Sequence, residues 1–190
     1  MHYIRFLKSP RIVGVGRERA LVAKITVTTD LGESFLAADV GILVDAVAED
    51  GESLLGPGKE YVWKGRDGMR SLEVSLSMQK VKKVPAVKMM VASKGEQYVN
   101  SFEGILGIDD KMGTVENQSR IVTVRSMEID VQSGQPTVTG MAERVFSSIR
   151  NGGTEIRIWE ETGESIARHI WYAWTGQVRP FSCLSINVWY

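Results

Sequence analysis

Short alternations of apolar and polar residues fill most of the first 150 positions. Between residues 20 and 29, Leu21, Ala23, Ile25 and Val27 alternate with Val22, Lys24, Thr26 and Thr28. That period of two turns one face of a strand toward a core. Residues 70–78 are the cleanest case. Leu72, Val74, Leu76 and Met78 are set to face inward, and Ser71, Glu73, Ser75 and Ser77 outward. Residues 2–8 put Ile4 and Phe6 on one face and end before Pro10, which lacks the N–H that a ladder needs. Residues 41–48 are more uniformly apolar, as a strand covered on both faces would be. Helix propensity competes there, but the valines and flanking glycines favour a strand.

Further strands are predicted at 59–64, around Val87, Met89 and Val91, at 121–131 and at 142–149. Within 121–131 the parity slips, with Val122 and Val124 on one face and Met127, Ile129 and Val131 on the other. A bulge near Arg125 and Ser126 reconciles them. Asn151-Gly-Gly153 predicts a hairpin turn that pairs 142–149 with 154–160. Residues 103–120 are polar and glycine-bearing, and read as one long disordered loop. Eight or nine short strands separated by turns imply an antiparallel β-sandwich or open barrel.

The period changes after residue 160. Ile156 and Ile158 still alternate, whereas Ile166, Ala167, Ile170, Trp171 and Trp174 recur at spacings of three and four. Thr162 stands where it can cap a helix, with Glu164 in the first turn. The expected fold is therefore mainly β with one C-terminal helix. The expected division is a β-rich region at 1–150, a strand and helix at 151–175, and a tail at 176–190.

Composition narrows the function more than it identifies it. The chain has 190 residues, 43% of them hydrophobic, with 23 basic and 23 acidic side chains and no net charge. Balanced charge removes the basic footprint of a nucleic-acid binder and any general attraction to anionic lipid. Cys183 is the only cysteine, so no internal disulfide forms. No apolar run reaches the length of a membrane span, and the first residues lack the apolar core of a signal peptide. A soluble protein of the cytoplasm or nucleus is the expectation.

Searches for chemistry return little. His2 and His169 have no companions at metal-ligand spacing, and Cys183 has no nearby base. Gly14-Val-Gly16 is followed by Arg-Glu-Arg, so it reads as a turn between strands and not as a dinucleotide loop. The acidic pairs Glu49-Asp50 and Asp109-Asp110 read as solvated turns. Glu160-Glu161 lies at a strand end, where α/β folds place their sites, yet a structural role is the expectation. Trp159, Trp171 and Trp174 read as a core stripe that needs a sheet to cover it.

One stretch carries a resemblance. The segment IRIWEETGESIARHIWYA, with HYIRFLK, AKITVTTDLGESFL and GMRSLEV upstream, resembles a fungal branch of the seven-β-strand methyltransferases. These are lysine-methyltransferase-like proteins, also described as nicotinamide N-methyltransferase-like. The likeness spans most of residues 1–173, and ESIARHIW is its most specific part. It implies a β-rich accessory region followed by the first strand and helix of a truncated S-adenosylmethionine-dependent catalytic domain. It also implies that Trp171 belongs to the helix that lies near the cofactor. Tyr172 and Trp174 depart from the family pattern, and no acidic, glycine-rich turn follows to let a backbone approach the cofactor. The chain is accordingly expected to bind no S-adenosylmethionine and to be inactive by itself, with a protein as its one expected partner. A stand-alone β-sandwich interaction module is the alternative. The tail from 176 shows no period, and Gln177-Val-Arg179 can be encoded with the form of a splice donor. It is expected to be translated intron that does not pack.

Overall fold

The computed structural model describes residues 1–29, 32–81, 84–95, 98–101, 120–147, 155–163 and 172–175, the last as a backbone trace. In chain order the strands are β1 (His2–Phe6), β2 (Arg11–Val13), β3 (Ala20–Thr28), β4 (Asp39–Val47), β5 (Lys59–Lys64), β6 (Leu72–Ser77) and β7 (Ala86–Ser93). They continue as β8 (Tyr98–Val99), β9 (Ile121–Val122), β10 (Val124–Ser126), β11 (Ile129–Asp130), β12 (Met141–Ser147), β13 (Glu155–Glu161) and β14 (Tyr172–Thr175). Among the described residues they form two sheets. One has six strands in the order β2-β3-β1-β9-β8, with β6 on the free side of β3. The other has eight in the order β14-β13-β12-β10-β7-β4-β5, with β11 also on β7. Pairing is antiparallel except where β9 meets β1 and β8. The protein is thus mainly β, built of antiparallel sheets, and they do not close into a barrel.

One apolar cluster holds both sheets together. Ile4, Phe6, Ile25 and Leu76 enter it from the first sheet, and Ile42, Val44, Met89 and Val91 from the second. Each such side chain withdrawn from water contributes roughly 1.5–3 kcal/mol. Alternation predicts this inward set well, including Leu76, which is 2% exposed. Thr26 and Thr28 are buried too, although they stand on the opposite face of β3. Burial on that second face locates the cleft described below.

Two local devices fix the sheet margins. Trp63 of β5 is fully buried and donates from Nε1 to the Leu36 carbonyl at 2.8 Å. Gly65 lies so close to the Leu36 and Ala38 carbonyls that a Cβ there would collide with backbone, so glycine is required by space. Along β6, the Tyr61 hydroxyl donates to the Ser75 carbonyl at 2.6 Å and accepts from the Ser75 N–H at 2.7 Å. A side chain of one sheet thereby completes the outer edge of the other.

The slip in 121–131 has a different origin from the expected bulge. The chain leaves the first sheet at Thr123 and joins the second as β10, so one run of residues serves both. The ladder is then interrupted at Met127 and Glu128, beyond the expected Arg125–Ser126. Ser126 fills the gap: its hydroxyl accepts from the Met89 N–H at 2.8 Å and donates to the Met127 carbonyl. The hairpin partners behave as expected, with β12 and β13 in register from Met141↔Glu161 to Ser147↔Glu155.

The expected C-terminal helix is corrected at residues 172–175. Tyr172–Thr175 form a strand antiparallel to β13, with Trp159 opposite Tyr172 and Arg157 opposite Trp174. Thr162 is not an N-cap, because Gly163, the next residue, has φ near 142°. A first helical residue needs φ near −60°. Aromatic residues at 172 and 174 suit a pleated ladder, and the ladder overrides the three–four spacing. No helix of seven residues or more occurs among the described residues. None is long and apolar enough to cross a membrane. Residues 164–171, the turn at 151–153, the loop at 102–119 and the tail at 176–190 lie outside the described residues.

Candidate functional site

The second face of β3 opens into a partly enclosed cleft of about 300 Å³. Its floor is β1 and β3, presenting Arg5, Lys24, Thr26 and Thr28. This is the parity opposite to Ile4, Phe6, Ile25 and Val27, so the floor is the back of the core strands. One wall is the segment around Phe35, which forms a bridge with Thr28. The other wall is the end of β13 and the turn after it, from Glu160 to Gly163. Arg70 closes one side. Its carbonyl accepts from the Thr26 hydroxyl at 2.9 Å, and its guanidinium lies 5.7 Å from the centre of the Phe35 ring.

Glu160 is committed elsewhere. Both its oxygens accept from Arg144, at 3.0 Å from Nε and 2.5 Å from Nη2. The Arg144 side chain is fully buried and spends its remaining donors on the carbonyls of Ile4, Val122 and Thr123. A guanidinium is suited to this because its donors form a fixed planar fork. The pair ties β12 and β13 to β1 and to the crossing point at Thr123. Glu161 is exposed at the rim.

Arg144 thus takes Glu160 out of the charge balance of the cleft. Lys24 and Arg70 border the cleft with the exposed Glu161, and Glu73 stands opposite Lys24 across the β3–β6 ladder. No carboxylate among the described residues forms an ion pair with Lys24 or Arg70. Thr28 adds an unusual feature: it is 4% exposed and its hydroxyl has no hydrogen-bond partner among the described residues. Most buried hydroxyls have one.

A second polar cluster lies on the opposite face of β12 and β13. Lys88, nearly buried, bridges Glu49 at 2.7 Å and Glu143 at 3.0 Å, and Arg157 contacts Glu49, Glu143 and Glu155. Glu49 is thus not a merely solvated turn residue. Burial opposes its ionisation, but hydrogen bonds from Lys88 and Arg157 outweigh it and hold its carboxyl below the ordinary range. A depressed folded value gives stability that is complete above the unfolded carboxylate value and lost as pH falls through the folded one. Chemical unfolding across an acid series should show this limb in the natural protein and a smaller one in Glu49→Gln. The difference should be at most about 1 kcal/mol, since Glu49 is largely exposed. Identical profiles would refute it.

Comparison with protein families, curated proteins and solved structures gives no match.

Of the residues singled out from sequence, Trp171, His169 and Cys183 lie outside the described residues. His2 is half-buried beside the N-terminus, and burial first, then that charge, lowers its pKa. No group of metal-binding side chains occurs among the described residues. S-adenosylmethionine in the resembled family sits at a strand–turn–helix crevice of a parallel sheet. Among the described residues β12, β13 and β14 pair antiparallel, and ESIARHIW, at 164–171, lies outside them. Glu160 and Glu161 do line the cleft, but Arg5, Lys24, Thr26, Thr28, Phe35 and Arg70 carry no sequence signal beyond belonging to strands or their ends.

Proposed function

We propose that the chain acts as a β-sandwich binding module, not as a catalyst by itself. The observation that supports this reading most is the continuity of the second sheet. β13 and β14 extend the sheet that starts at β5, and the end of β13 supplies a wall of the cleft. On this reading the partner is a protein, and the module works in the cytoplasm or nucleus.

A second reading rests on the sequence string ESIARHIW. By it the chain is the β-rich N-terminal part of a fungal lysine-methyltransferase-like protein, and S-adenosylmethionine is held by other parts of the full-length family. The two readings agree that this chain alone transfers no methyl group. Calorimetric titration with S-adenosylmethionine should give no saturable heat. A one-to-one complex of micromolar affinity would overturn both the module reading and the expected inactivity.

A further inference from the structure

We propose that the cleft between β1, β3, Phe35 and the end of β13 is a binding site for a small aromatic anion. The inference rests on the module reading and adds a small ligand of the cleft to the protein partner proposed there.

Three features of the cleft converge on that class. The first is charge. Arg70 borders the cleft and forms no ion pair with a carboxylate among the described residues, whereas Glu160 is neutralised by Arg144 within hydrogen-bond distance. Lys24 adds a second cation, with Glu73 opposite it on β6, and Glu161 stands at the exposed rim. An anion that reaches Arg70 enters a partly desolvated space, where such attraction is stronger than in water. The Arg70 guanidinium can present two N–H groups to a carboxylate or phosphate at once.

The second is the aromatic wall. The Phe35 ring is 41% exposed, with its centre 5.7 Å from the Arg70 guanidinium. A flat apolar body can lie along Phe35 while its anionic group reaches Arg70. Neither half of such a ligand alone satisfies both walls. The volume, about 300 Å³, matches the lower end of the range for small-molecule sites.

The third is Thr28. Thr28 lines the cleft, and its buried hydroxyl has no partner among the described residues, while the neighbouring Thr26 hydroxyl is satisfied by the Arg70 carbonyl. An unpaired buried hydroxyl is costly to the fold. An acceptor oxygen delivered by the ligand, after rotation of the Thr28 side chain, would relieve it.

The test is amide-resolved NMR of the whole chain titrated with phenylacetate, phenyl phosphate and the uncharged phenylacetamide. Saturable shifts are expected around Thr26–Thr28, Phe35, Arg70 and Glu160–Gly163. Phenylacetamide should bind about tenfold more weakly, and Arg70→Gln should weaken the anions by a similar factor. Arg70 is exposed, so this variant keeps the fold; Lys24→Gln serves as a second. Thr28→Val should weaken binding about threefold. Saturation by phenylacetate alone identifies a carboxylate ligand and by phenyl phosphate alone a phosphate, and either supports the site. Equal binding of phenylacetamide, shifts confined elsewhere, or no saturation by either anion would overturn it. The last outcome, with a dispersed spectrum and no S-adenosylmethionine complex, removes the cleft ligand and leaves the module reading standing.

Discussion

Replacing Arg144 by Ala should destabilise the protein by about 3–5 kcal/mol, a large part of a typical domain's 5–15 kcal/mol. The loss comes less from the missing attraction than from what is left behind. Glu160 is 2% exposed, so without Arg144 its buried carboxylate loses the donors that hold both its oxygens. The carbonyls of Ile4, Val122 and Thr123 lose donors at the same time. A double replacement, Arg144→Met with Glu160→Leu, removes the charge as well as its partner. It should cost clearly less than the sum of the single changes, because the two residues act as one unit. Urea unfolding of the four proteins decides the matter. Additive costs would show that the two side chains are not coupled.

Trp63→Ala is the second large effect, expected at about 3–5 kcal/mol. The indole is wholly buried in the shared core, and its N–H holds the Leu36 carbonyl. Truncation leaves a cavity between the sheets and frees the segment that leads to Phe35. Trp63→Phe keeps most of the volume but loses the hydrogen bond, so about 1–3 kcal/mol should go with the stranded carbonyl. A midpoint shift in urea at unchanged slope is the expected signature. If Trp63→Ala unfolds at the natural midpoint, the indole is not a core residue.

Strand content was legible because period-two alternation is a local property. Residues 20–28 and 72–77 show it in sequence and bury Leu21, Ile25, Val74 and Leu76 as it requires. What was not legible depends on partners distant in the chain. β2 and β8 are two or three residues long and too short to display a period. The spacing of Ile166, Ile170 and Trp174 suggested a helix, yet β13 offered an open edge and residues 172–175 took it. The slip between Val124 and Ile129 was visible, but not its cause: the change of sheet at Thr123 and the Ser126 hydroxyl standing in for backbone. The site was harder still. Arg144 sits in an ordinary alternating strand and drew no attention, while Thr26 and Thr28 occupy the face that alternation assigns to water. Their burial comes from residues near 35 and 160, and no window around β3 contains those.

The pairing of Tyr61 with Ser75 occupies part of an exposed sheet margin. β6 is the outer strand of its sheet, and such margins invite a strand from a second molecule. At Ser75 both main-chain groups are already occupied. An incoming strand would have to displace the phenol and find new partners for it, and each group left unmade costs about 1–3 kcal/mol. The neighbours Glu73 and Ser77, exposed and polar, offer no apolar surface in return. At this margin the obstacle to an added strand is thus one tyrosine contributed by the facing sheet.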